Sequence, residues 1–195
     1  MALSTEYVSP DRVARGTIRR GWTLVEQGQD EEGMAQMRQG LAIMQRIGSE
    51  VAQPIFFALL AEAYGKVGQC TEGLMVLAEA FALVDKNEER YFEAELYRLK
   101  GELLWSQDHH CETQSELCFR QALDVSRGQQ AKSLELRAAM SLARLWQQQG
   151  KHQEARELLA PVYGWFTEGF DTADLQEAKA LLEALTAEPA KSEAE

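Results

Sequence analysis

The sequence predicts an all-α protein, a right-handed helical solenoid of four helix hairpins with a period of about 40 residues and a C-terminal capping helix. Three observations predict it. Ala, Leu, Glu, Gln and Arg dominate, while Pro occurs four times and Asn once, at Asn87, which favours helix throughout. A pattern of small and large residues recurs along the chain. In its clearest copy, AEAYGKVGQCTEGLMVLAEAF at 61–81, the pattern is Ala61, Tyr64, Gly68, Gly73, Leu77 and Ala80. Gly21, Leu24, Gly28, Gly33, Met37 and Gly40 keep the same spacing. A third copy holds Gly101, Leu104, Ser115, Phe119 and Ala122, and a fourth Ala143, Trp146, Gly150, Ala155, Leu159 and Val162. The intervals are regular: the first small positions, 21, 61, 101 and 143, lie 40, 40 and 42 residues apart. Two antiparallel helices pack closely only where small side chains face each other, and a bulky residue fills each gap between.

Residues 1–8 carry no helix signal and are expected to be disordered. Ser9-Pro10-Asp11 starts the first helix, with Ser9 as cap and Pro10 at the first helical position. That helix runs to about Gln27 and turns at Gly28-Gln29-Asp30. Glu31 and Glu32 open the second helix, where acidic side chains suit the positive helix end, and it stops at Gly48. From the second small position to the next repeat's first is 28 residues each time, from 33 to 61, 73 to 101 and 115 to 143. The two extra residues of the third copy therefore lie in its turn, SQDHHCETQ. Ser49 and Asn87 are expected caps for the first helices of repeats two and three. Pro54 predicts either a helix start beside it or a bend in a helix begun at Ser49, and the bend is favoured. After repeat four comes GWFTEGF, read as a capping loop rather than a small-molecule pocket against the last helix, and then Asp171 as cap of a last helix over 172–185. Its stripe of Leu175, Ala178, Leu181, Leu182 and Leu185 would close the apolar edge of the array. Residues 187–195 lack apolar periodicity and are expected to be disordered, leaving 9–186 as the repeat domain.

This order of small, aromatic, turn glycine, small and large residues resembles the tetratricopeptide repeat (TPR), over roughly residues 10–165. Its common period is about 34 residues, and an excess of six is about 1.7 helical turns, which predicts longer helices rather than longer loops. The stretches GWTLVEQGQ, AEAYGKVGQ, ELYRLKGELL, SLELRAAMSLARLWQQQGK and EARELLAPVYGWFTEGFDTADLQEAKALLEAL resemble a narrower group. They are similar to the helical arrays of large bacterial signal-transduction ATPases, and above all to the C-terminal region of bacterial proteins with an adenylate or guanylate cyclase domain and an ATPase domain. The resemblance implies an interaction role. It does not extend to catalysis: Leu60 stands where the first glycine of a phosphate-binding loop ending at Gly65-Lys66 would be, and no strand–helix alternation exists to build a cyclase. The chain is therefore expected not to be an enzyme and to carry no cofactor.

The net charge of −11 and the pI of about 4.9 oppose contact with a phosphate backbone, so no nucleic-acid partner is expected. Three cysteines, Cys70, Cys111 and Cys118, with no CxxC pair, point to reduced thiols in the cytoplasm. No apolar run is long enough for a membrane span, and the start MALSTEYVSPDR lacks a cationic and apolar leader. His109-His110-Cys111 with Cys118 nearby is the one metal-like cluster, but zinc spacings are missing, so the reading is a polar turn without a metal. His152 is expected to face solvent, and Trp22, Trp146 and Trp165 to pack. Arg12, Arg15, Arg19 and Arg20 form the one basic cluster, either a contact for an acidic partner or upstream domain, or simply a charged helix face. The first helix has no earlier repeat to cover it, which points to a fragment of a longer chain and to a homodimer through the uncapped N-terminal edge.

In arrays of this type the first helices line the concave face. Counting from each first small residue places Glu62, Glu102, Arg144, Arg98, Arg137 and Trp105 there, beside Glu95. Guanidinium groups take carboxylates in a bidentate way and an exposed tryptophan is a common anchor, so the partner expected is a protein or peptide segment with acidic and apolar residues, or another domain of the parent chain. Alternatively the six charges pair with one another across neighbouring repeats, and Trp105 packs under the longer third turn. A different class of function is effector sensing, in which a small ligand in the concave groove regulates an attached enzyme.

Overall fold

The structure is a computed structural model and describes residues 9–107 and 111–187. The tail expectations for 1–8 and 188–195, and the His109-His110 half of the metal-like cluster, lie outside the described residues. The described residues are all-α, with no strand. The chain divides into two compact units, 1–92 and 93–195.

The first unit holds α1 (Pro10–Glu26), α2 (Asp30–Arg46), α3 (Gln53–Lys66) and α4 (Cys70–Asn87), followed by a short 3-10 turn, Arg90–Phe92. Helix α1 packs on α2 and α3 on α4, with α2 and α1 also against α3. The second unit holds α5 (Glu93–Gln107), α6 (Glu112–Gly128), α7 (Lys132–Gln148), α8 (His152–Tyr163) and α9 (Ala173–Ala187). Here α5 pairs with α6, α7 with α8, α6 bridges to α7, and α9 lies on α8 and α7. Apart from α8, with 12 residues, the helices run 14 to 18 residues, above the common mean of about 11–12. The long period is thus taken up largely in helix, as the spacing predicts.

The small positions are the points of closest approach. A Cβ on Gly21 would lie 2.5 Å from the Gly33 carbonyl oxygen, and one on Gly33 would lie 2.6 Å from that of Gly21. The two backbones touch there, and no side chain fits between. In the third repeat Gly101 lies under the ring of Phe119. Ala61 and Ala143, the corresponding residues of repeats two and four, are wholly buried.

Five helix ends share one hydrogen-bond pattern. At the end of α1, Gln29 N–H donates to Leu24 O (2.9 Å) and Gly28 N–H to Val25 O (2.9 Å), with Gly28 at φ +79°. This is a Schellman motif, which ends a helix and reverses the chain with one left-handed residue. Gly48, Gly68 and Gly150 do the same after α2, α3 and α7. After α6 the left-handed residue is Gln130, at φ +55°, with Ala131 N–H on Ser126 O (2.9 Å). A nearby ionic clamp secures that turn: the Glu135 carboxylate accepts from Arg127 Nε (2.9 Å) and Lys132 Nζ (2.6 Å). Burial alone pushes the Glu135 pKa up, but the bonds from Lys132 and Arg127 and their charges outweigh it and hold the carboxyl below its ordinary 4.5.

Several sequence expectations are corrected. Helix α3 begins at Gln53 with Pro54 in its first turn, so there is no bend. The residue before it, Ala52, is left-handed at φ +63°, and a helix begun at Ser49 could not pass through it. Ser49 is no cap: its hydroxyl donates to Asp11 Oδ1, and its carbonyl accepts from Gln53 Nε2 (2.8 Å). Asn87 is the last residue of α4 and caps nothing ahead. Thr172, not Asp171, precedes α9, with its carbonyl accepting from Gln176 N–H (3.0 Å). Helix α9 extends to Ala187, past the expected end at 185.

Two predictions follow from this packing. Gly16, inside α1, faces open space, so Gly16→Ala should raise stability by roughly 0.5–1 kcal/mol, whereas Gly21→Ala should lower it by about 1–3 kcal/mol through overpacking. Urea unfolding of the two variants beside the parent measures both signs. Glu135→Gln should cost about 1–2 kcal/mol at pH 7 by breaking charged hydrogen bonds. Because the folded-state pKa of Glu135 is depressed, its contribution is complete above the unfolded value of 4.5 and is lost as the pH falls through the folded one. Unfolding curves of parent and variant should therefore stay separated down to about pH 4.5 and converge below it.

Candidate functional site

The residues singled out from the sequence gather mainly on α5 and α7 of the second unit. Among the first helices, the position three before each first small residue carries Ile18, Ala58, Arg98 and Met140, and all four are buried. It is a core column with a guanidinium in one place. Arg98 is 5% exposed. Its Nε and Nη2 donate to the two oxygens of Glu95 (2.9 and 2.7 Å), itself 2% exposed, in a two-point pair. Its Nη1 reaches Glu102 Oε1 on the next turn and Ser141 Oγ (3.4 Å) on α7. Ser141 Oγ donates in turn to Glu102 Oε1 (2.8 Å), and Arg137 Nη2 from α7 lies 3.0 Å from Glu95 Oε1. Burial works against the charge on Arg98, but the hydrogen bonds and charges of Glu95 and then Glu102 more than offset it and hold its pKa above the ordinary value.

One helix further on, Arg144 of α7 reaches Glu177 of α9 (2.7 Å). The face formed by α5, α7 and α9 thus carries a ladder of alternating sign. Arg98 is internal to it and offers no donor group to solvent. The Arg137, Arg144 and Glu102 side chains remain 31%, 39% and 35% exposed. Trp105 is half-buried and packs on the core of the unit. Expected as an exposed anchor, it keeps only part of its surface open. Glu62 lies on α3 of the first unit, half-buried. Of the charges singled out, Arg137 pairs with Glu95 between neighbouring repeats, Arg98 pairs with Glu95 and Glu102 along its own helix, and Arg144 pairs with Glu177 of the closing helix.

Two members of the ladder were not legible. Ser141 is small and polar within the run AAMSLA, and only its burial at 1% marks it as a bridge. Glu177 belongs to the closing helix, whose stripe predicts a lid and assigns no partner to its polar side. Other expectations are corrected here. Trp165 is 58% exposed and Phe170 48%, so the capping loop leaves them outside, and the core is covered instead by Phe166 of the loop and Tyr163 at the end of α8. His152 opens α8 half-buried rather than facing solvent. Trp22 lies under Lys66 Nζ at 4.6 Å and Trp146 under Arg120 at 5.2 Å, so both are half-buried beneath cations. Among the described residues no group of three His, Cys, Asp or Glu is arranged to hold a metal ion, and no helix is long and apolar enough to cross a membrane.

The network makes a sharp prediction. Arg98→Met takes the two-point partner from the buried Glu95 carboxylate and should cost about 3–5 kcal/mol, whereas adding Glu95→Leu should recover much of that loss, because a buried pair replaced as a pair is far less costly. A double-mutant cycle in denaturant measures it.

The fold has solved counterparts. The chain matches a crystal structure of nearly identical TPR-like repeats, described as those of a kinesin light chain from Podosopora anserina, with a TM-score of 0.65 and 22% identity over 92% of this chain and 95% of that one. A point variant of the same protein matches with a TM-score of 0.65 and 21% identity over 91% and 94% of the two chains. No protein-family model matches the chain, and no curated protein matches it. At these identities the likeness concerns the fold: this chain is built as an array of TPR-like helix hairpins.

Proposed function

We propose that the chain is a non-catalytic protein-interaction module. In this reading the α5–α7–α9 face holds a peptide or protein segment bearing acidic and apolar residues. The observation that carries it is the ladder. Glu95 and Glu177 fix Arg137 and Arg144 in place while leaving part of each guanidinium open, so a partner carboxylate meets donors already oriented. Glu102 and the open edge of Trp105 complete the site. Arg98 is a positioning residue beneath it, and Glu62 is a contact of the first unit. The ligand-sensing alternative needs polar groups converging on an apolar hollow, whereas those of this face are paired with one another.

The resemblance of the sequence to cyclase–ATPase fusions supports placing the module in a bacterial signalling chain in the cytoplasm, with another domain of that chain as its partner. The net charge of −11 argues against nucleic acid. Self-pairing through the N-terminal edge is opposed by Arg12, Arg19 and Arg20, which would face their own copies.

A selection from a random peptide display library tests the proposal. Enriched peptides should carry Asp or Glu beside aliphatic residues. Arg144→Ala, which removes only an exposed ion pair worth under about 1 kcal/mol, should weaken them about tenfold with the melting temperature nearly unchanged. Enrichment of basic peptides, or binding indifferent to Arg144→Ala and Arg137→Ala alike, would refute it.

A further inference from the structure

The interior glycines of α1 and α2 have a packing reason in every case but one. A Cβ on Gly21, Gly33 or Gly40 would strike the facing helix, whereas one on Gly16 would meet nothing within 4 Å. Glycine weakens a helix interior relative to alanine, and nothing among the described residues offsets that loss at Gly16. Its surroundings are specific. Arg12 precedes it by four residues, and Arg19 and Arg20 follow it by three and four, so all lie on its side of the helix. The three arginines are exposed, and none pairs with a carboxylate among the described residues. Arg15, in contrast, is turned away to Asp11 (2.7 Å) and the Val51 carbonyl (3.0 Å). Thr17 and Thr23 bond back to their own helix, and Val13 is 45% exposed beside them. On a chain of net charge −11 this strip is an island of positive charge.

A bare stretch of backbone flanked by guanidinium groups has what a second helix needs for close approach. The absent side chain shortens the distance between axes, and the guanidinium groups take carboxylates at two points. The Gly21–Gly33 contact shows the first half of this device inside the same unit. We propose that the α1 strip centred on Gly16 docks an acidic helix of a partner, its backbone over Gly16 and its carboxylates on Arg12, Arg19 and Arg20. An anionic membrane would satisfy the charges alone. The apolar side of α1, however, is spent inside the unit through Ala14, Ile18 and Val25, and the one large apolar side chain of the helix left exposed, Val13, is too little to insert. The surface lies apart in sequence from the α5–α7–α9 face and stands independently of it.

The probe is an alanine-rich helical peptide of about 20 residues with glutamate at every fourth position, beside its lysine counterpart and vesicles of phosphatidylserine in phosphatidylcholine. The glutamate peptide should bind the whole chain, weakening with salt, and the lysine peptide should not. Arg12→Ala with Arg19→Ala and Arg20→Ala should abolish binding. Gly16→Gln separates docking from folding: glutamine is the better helix former, so the melting temperature should rise while peptide affinity falls at least about tenfold. A glutamate peptide that does not bind, or that binds equally well to Gly16→Gln, would overturn the proposal. So would capture of the vesicles without the peptide.

Discussion

Contact between two helix backbones, with no side chain between them, is the constraint on which the rest of this protein depends. Where Gly21 meets Gly33, each carbonyl fills the space that a Cβ would occupy on the other residue. Such a contact fixes the crossing of α1 and α2 at one point along both axes. The large residues around it then have a single way to interdigitate, with Met37, Ile18 and Met44 wholly buried. Later repeats relax the device without abandoning it. Ala replaces Gly at 61 and 143, and at Gly101 the facing element is an aromatic ring rather than a backbone. A repeat needs a small residue at the crossing, and the neighbouring helix determines how small.

The buried charge of Arg98 departs from this economy. A column that is apolar in the other repeats holds a guanidinium here, surrounded by Glu95, Glu102 and Ser141. Replacing a whole buried ion pair by apolar residues of similar volume often leaves stability unharmed, so its presence is weak evidence for stabilisation. What it does supply is direction. A methionine in that column would make contacts of any orientation, whereas the Arg98 fork holds Glu95 on its own helix, and the bonds of Glu95 to Arg137 and of Glu102 to Ser141 tie α5 to one register against α7.

The repeat pattern was legible because it is a backbone requirement written in side-chain size: 21, 61, 101 and 143 could be read off the chain, and Gly21 and Gly101 lie against the facing helix while Ala61 and Ala143 are wholly buried. Turn glycines were equally plain, since Gly28, Gly68 and Gly150 are the residues that accept a left-handed conformation at no cost. Most of the errors share one cause. Ser49, Asn87 and Pro54 carry a local propensity that a tertiary bond at Ser49 and a left-handed non-glycine residue at Glu88 and Ala52 override, and at Asp171 the helix simply starts one residue later. The candidate site was half legible. Its charges could be placed on the right helices, but whether Arg98 points inward depends on the depth of its column, and the apolar character of Ile18, Ala58 and Met140 was the available sign.

The connections between helices are short, as in the three residues 129–131 between α6 and α7, and the helices that touch are neighbours or next neighbours along the chain. Few contacts therefore demand that distant segments meet before anything is gained. Chains of this kind have low contact order and fold quickly, within microseconds to milliseconds for helical domains, and order can begin in any hairpin and spread to the next. The same locality works in reverse, because a hairpin at either end can open while its neighbours stay folded. Cooperativity in such a chain is a property of the interfaces between hairpins, and a substitution at one interface changes how far an opening travels as well as how often it begins.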